Sequence, residues 1–155
     1  MDQEPNLTAF EGSENTALVC VDHEQYQKLI TPQLADLKYK VHVGLYEDDV
    51  LLKLRTYSYE VIVVYENFKG TTLDTNPILQ KLIGEPGAQR REHFVVLLSH
   101  RYVTNDSLSA FVHSTDRIVN IADLANFKPV LRRSMTEHRE MYHFFQSTLK
   151  TVQAI

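Results

Sequence analysis

Three short runs of unbroken apolar residues constrain this chain more than anything else in it: Ala17-Leu18-Val19-Cys20-Val21, Val61-Ile62-Val63-Val64 and Phe94-Val95-Val96-Leu97-Leu98. A strand with one wet face alternates apolar and polar residues, whereas a strand that is apolar at every position needs cover on both faces. Weaker runs at Val41-His42-Val43-Gly44-Leu45 and Arg117-Ile118-Val119 supply a second strand and a fifth, the fifth at an edge. Segments with helical spacing separate them. Glu24 to Tyr39 carries Tyr26, Leu29, Ile30, Leu34 and Leu37, and Pro32 should kink it or begin a second helical piece. Glu47-Asp48-Asp49 places acidic groups at the positive end of a helix with Val50, Leu51, Leu54 and Tyr57. Asn76-Pro77 offers an N-cap amide and a first-turn proline to a helix that buries Ile78, Leu79, Leu82 and Ile83 and stops at Gly84. Glu85 to Glu92 is a polar connection, and Asn105-Asp106 caps a short helix with Leu108, Phe111 and Val112. A last helix begins near Asn126 and reaches Val152.

Strands that alternate with helices five times imply an α/β fold, a parallel sheet with helices on both faces. Right-handed crossovers narrow this to a doubly wound arrangement. Ligands of such folds bind beyond the carboxyl ends of the strands. The residues at those ends are Asp22, His23 and Glu24, then Tyr65, Glu66 and Asn67, then Ser99 and His100.

The composition bounds the partners. Sixteen basic and 20 acidic residues leave a net charge of −4, without the clustered basic face that nucleic acid requires. No apolar stretch approaches the roughly 20 residues that span a bilayer, and no signal peptide is visible. Cys20 is the single cysteine, excludes an intrachain disulfide and reads as a buried structural thiol, so the chain reads as cytoplasmic. The seven histidines include no zinc-like spacing, and no metal or other cofactor is expected.

The order and spacing of these elements resemble the receiver domain of bacterial response regulators over about residues 16 to 140. In that family an acidic cluster after strand one holds magnesium, an aspartate ending strand three takes the phosphoryl group, a Ser or Thr ends strand four, and a lysine ends strand five. The resemblance implies a flavodoxin-like sheet in the order 2-1-3-4-5. Asp22, Asn67 and Ser99 match the family's pattern, but His23 replaces the second acidic residue, Tyr65 stands at the phosphoacceptor position, and Asn120 stands where the lysine is expected. Arg117 lies near the position of the family's aromatic switch residue. A phenol cannot form an acyl phosphate, and the imidazole of His23 is a poor magnesium ligand beside Asp22, even with Glu24 or Glu66 swinging in. Tyr65 reads as an aromatic plug and His23 with Asp22 as a capping or polar pair; no lysine remains near the site to counter phosphoryl charge. The implied function is a degenerate receiver in two-component signalling, not an enzyme, acting through protein contacts. Two alternatives stand beside it: an atypical receiver phosphorylated on a displaced aspartate such as Asp22 or Asp74, and a small flavodoxin-like ligand binder. The second lacks a Gly-rich loop after strand one and a Gly-x-Ser-x-Gly elbow.

The last helix adds a second clue. Leu131, Met135, His138, Tyr142, Phe145, Leu149 and Val152 are spaced 4, 3, 4, 3, 4, 3, a heptad seam. At 1.5 Å per residue the helix is about 40 Å long, roughly twice the span of a five- or six-residue strand. The expected organisation is a flexible leader over 1–15, a receiver-like domain over 16–125, and a helix over 126–155 whose first half covers the sheet and whose second half projects toward a protein partner or a second copy. The competing expectation is a bend after Tyr142 that folds the chain back onto its own domain.

Overall fold

The computed structural model describes residues 15–154. The expected leader therefore lies outside the described residues apart from Asn15. Five parallel strands, β1 (Thr16–Cys20), β2 (Lys40–Val43), β3 (Val61–Tyr65), β4 (Phe94–Ser99) and β5 (Arg117–Asn120), form one sheet in the order β2-β1-β3-β4-β5. The helices are α1 (Glu24–Asp36), α2 (Glu47–Thr56), α3 (Pro77–Ile83), the single turn α4 (Gly87–Arg90), α5 (Ser107–Val112) and α6 (Phe127–Ala154). This is the doubly wound arrangement that the alternating runs imply, in the flavodoxin-like strand order that the receiver resemblance implies, with the expected long C-terminal helix.

The continuous runs divide between two cores. Successive strand residues point to opposite faces. Ala17, Val19, Val61, Val63, Val96 and Leu98 meet Ile30 and Leu34 of α1 and Leu131 and Met135 of α6. Leu18, Cys20, Ile62, Val64, Val95 and Leu97 meet Val50, Ile78, Leu82 and Ala110 on the other side. Burial pushes the Cys20 thiol far above the ordinary thiol range, which fits a structural, unreactive side chain. Gly44 lets the end of β2 pass close to α2: a Cβ there would sit 2.4 Å from a Val50 methyl carbon.

Four local expectations change. Ile83, expected on the buried face of α3, is exposed, and the helix buries Ile78, Leu79 and Leu82 alone. Pro32 neither splits nor restarts its helix, because α1 runs unbroken through it. The connection over 85–92 contains the turn α4. In α5 the buried residue is Ala110, while Leu108, Phe111 and Val112 face solvent. The long helix does not bend back. Leu131 and Met135 are buried, His138 sets its ring against Phe94 with centroids 5.0 Å apart, and every side chain described from Arg139 to Val152 is exposed. Arg117 fastens the first half of α6 to β5, donating to Ser134 Oγ at 3.1 Å and to Glu137 Oε1 at 2.8 Å. Among the described residues no helix is long and apolar enough to cross a membrane.

Asn76 shows how a cap can hold a sheet end. Its Oδ1 accepts from the backbone N–H groups of Ile78 and Leu79, and its Nδ2 donates to the carbonyls of Tyr65 and Glu66. The side chain is fully buried, so water cannot replace those bonds. Asn76→Ala should destabilise the protein by about 3 kcal/mol, a lost cap plus orphaned carbonyls. Asn76→Asp keeps the cap acceptor but turns a second oxygen on the two carbonyls, so it should be no more stable than Asn76→Ala. Urea unfolding midpoints at unchanged slope measure both.

Candidate functional site

The carboxyl ends of β1, β3 and β4 converge on a cluster of aromatic rings and carboxylates. Tyr65, the last residue of β3, is 8% exposed. Its hydroxyl and His100 Nε2 share a hydrogen bond of 2.8 Å. Tyr26, in the first turn of α1, packs edge-on to the Tyr65 ring with centroids 5.5 Å apart. His23 stacks on Tyr26 at 3.7 Å and 13°. Four rings thus run from β1 across β3 to the loop after β4.

Beneath them lies Glu66. Its side chain is buried, and both carboxylate oxygens are engaged: Oε1 accepts from Ser99 Oγ and Oε2 from the His100 backbone N–H, each at 2.8 Å. The Ser99 hydroxyl in turn accepts from the N–H groups of Arg101 and Tyr102 at 3.0 and 3.1 Å. One carboxylate therefore ties the end of β3 to the end of β4 and, through Ser99, to the loop that leads to α5.

The predicted site residues separate into two groups. Asp22, His23, Tyr65 and Ser99 gather around this cluster. Asn67 donates to the Thr71 carbonyl and shapes its own loop. Asn120 ends β5, accepts from the Ala122 N–H and donates to the Tyr102 carbonyl, so its amide caps the following turn (Ile121–Asn126). His23 occupies the N-cap position of α1, but its side chain makes no cap bond, so the expected polar pair with Asp22 gives way to the stack on Tyr26. One lysine does approach the site, but through its backbone and not its charge. Lys69, at φ 54°, donates its backbone N–H to Asp22 Oδ2 at 3.1 Å, while its ammonium lies 4.4 Å from the Tyr46 ring centroid. Glu66, Tyr26 and His100 are the residues whose roles sequence reasoning missed. Their positions next to strand ends were visible, but their mutual contacts depend on side-chain rotamers.

The magnesium that such folds imply does not fit these residues. Among the described residues, Asp22 Oδ1 alone of the Asp22 and Glu66 carboxylate oxygens is without a hydrogen-bond partner, and the exposed Glu24 carboxylate pairs with Lys28. Asp22 Oδ2 and both oxygens of Glu66 already accept hydrogen bonds, and magnesium demands several oxygen ligands in near-octahedral array. Among the described residues no group of three or more His, Cys, Asp or Glu side chains is placed to hold a metal ion.

No family model matches the sequence, and no curated protein matches it. Among solved structures, the BeF3-activated receiver domain of DrrB is similar, with a TM-score of 0.57 and 19% identity over 78% of this chain and 96% of that domain. At that identity the likeness shows the fold: the chain is receiver-like in architecture.

Burial, then the neighbouring Tyr26, Glu66 and Asp22, raise the Tyr65 phenol above its ordinary value. An unfolded phenol ionises near pH 10, and the folded one ionises at higher pH. The stability that Tyr65 contributes is therefore complete below pH ~10 and is lost as pH climbs toward the folded value. Tyr65→Phe should cost about 1 kcal/mol at neutral pH through the lost bond to His100. The wild-type advantage should shrink as pH rises past ~10, as paired denaturation curves at pH 8 to 11 would show.

Proposed function

We propose that this chain is a receiver-like signalling module of a bacterial cytoplasm that works through protein contacts and not through aspartyl phosphorylation. One observation carries the reading: the Glu66 carboxylate already holds the Ser99 hydroxyl and the His100 N–H. Those are the donors at the end of β4 that would otherwise be available to a phosphoryl oxygen. Three further features support it. Tyr65 stands at the end of β3 with its phenol bonded to His100, so that position presents no carboxylate nucleophile. The oxygens around Asp22 do not make a magnesium site, and the Lys69 ammonium points at Tyr46. Charge neutralisation and positioning drive phosphoryl transfer, and these residues provide little of either. The free half of α6 supplies a surface for the contacts, with Tyr142, Phe145, Leu149 and Val152 all exposed along one seam.

The test is incubation with acetyl phosphate, and separately with beryllofluoride, in the presence of magnesium. Intact mass should show no phosphoryl adduct, and amide exchange over 99–113 should be unchanged. An acid-labile adduct that maps to Asp22 or Asp74 would overturn the proposal in favour of a displaced acceptor.

A further inference from the structure

The exposed half of α6 is amphipathic in a particular way. At about 100° per residue, Phe144, Thr148, Met141, Val152, Phe145, Leu149 and Tyr142 fall within one arc of roughly 160°. Arg139, Glu140, His143 and Lys150 all lie on the opposite arc. The arc contains no charge, and Thr151, Gln146 and Gln153 flank it. An identical helix laid against this face meets no like charge, and the heptad spacing makes the face self-complementary.

The orientation of such a pair follows from where the domain sits. Leu131, Met135 and His138 are on the same seam as Tyr142, Phe145, Leu149 and Val152, and that seam faces the chain's own core up to His138. In a parallel, in-register pair each domain would occupy the seam side of its own helix at the same level, where its partner helix and domain must also lie. The two domains would collide. Reversing one helix places the domains at opposite ends, and each free half then occupies the space beside the other.

We propose that the free half of α6 pairs antiparallel with the same half of a second copy of this chain, about a two-fold axis near Phe145. This rests on the reading of the chain as a module that works through protein contacts. About that axis Tyr142 lies opposite the partner's Leu149, and Phe145 meets its own copy. Burying Met141, Tyr142, Phe144, Phe145, Leu149 and Val152 in both copies removes roughly 1,000–1,200 Å² from water, at the lower edge for a specific interface. The domain adds to it. A groove of about 400 Å³, lined by Ile83, Arg90, His93, Phe111 and His138 among others, opens beside the point where α6 leaves its domain. The tip of an antiparallel helix reaches that level, which gives the exposed Phe111 and Ile83 a neighbour.

Sedimentation equilibrium of the full chain should return twice the 17.9 kDa chain mass, and Phe145→Asp should return a single chain mass with an unchanged globular melt. Orientation is read by cysteine pairing, which the fully buried Cys20 does not disturb. Tyr142→Cys and Leu149→Cys chains should form a disulfide when mixed and oxidised, and neither should cross-link to itself. Self-cross-linking of Leu149→Cys would show a parallel pair and overturn the proposal, as would a wild-type chain that stays monomeric at submillimolar concentration. A monomer that takes up no phosphoryl group removes the pairing and leaves the module reading intact. Phosphoryl uptake removes that reading, whatever the mass.

Discussion

The carboxylate of Glu66 is the interaction on which the rest of the site depends. A buried carboxylate is costly unless donors surround it, and hydrogen bonds to a charged group contribute about 1.5–3 kcal/mol each. Ser99 and His100 supply two donors, and the Ser99 hydroxyl is held in turn by two backbone amides of its own loop. That arrangement fixes the His100 backbone, which sets its ring against the Tyr65 hydroxyl. Tyr65 then closes against Tyr26, and Tyr26 carries His23. Each contact is placed by the one before it, from the buried carboxylate outward to the surface ring.

The fold was legible because its causes are local. A strand covered on both faces is apolar along its length, and β1, β3 and β4 are, with Thr16 and Ser99 as polar residues at strand ends. Asn76 and Asp106 act at the helix starts they signalled, since a cap bonds to amides two or three residues away. The site was legible in position and not in detail. The strand ends named Asp22, Tyr65 and Ser99, because topology places those ends together. Which partner each group takes is a non-local matter. Lys69 reaches Asp22 through a left-handed backbone in a loop 47 residues away in sequence, and Glu66 chooses Ser99 across the sheet. The exposure of Leu108, Phe111 and Val112 was hidden for the same reason: a six-residue helix does not reveal from its pattern that it buries only an alanine.

The long helix poses a different physical question, why its outer half is helical at all. A segment of about 16 residues is near the limit for a helix in water, since nucleation is costly and each added residue gains little. Here nucleation takes place elsewhere. The inner half is fixed by Leu131 and Met135 in the core and by Arg117, which bridges β5 to Ser134 and Glu137. Propagation from that fixed turn costs only the ordering of each further residue. The outer half is therefore rigid enough to present a seam, and the domain determines which way that seam faces.

These two features constrain how such a protein could be regulated. A ligand shifts a conformational equilibrium only by as much as its affinity differs between the two states. A phosphoryl group shifts a receiver because it brings charge and acceptors to a pocket that lacked them. In this chain the acceptors for Ser99 and His100 are built into the sequence as Glu66, so the loop after β4 has no missing anion to wait for. Under the proposed function, with that site already satisfied, control would pass to mass action at the α6 surface. Occupancy there depends on the concentration of whatever covers it. On the proposed reading, a pocket filled by its own glutamate and a helix that leaves its apolar face uncovered are complementary: the first would remove a switch inside the domain, and the second would move the response to assembly.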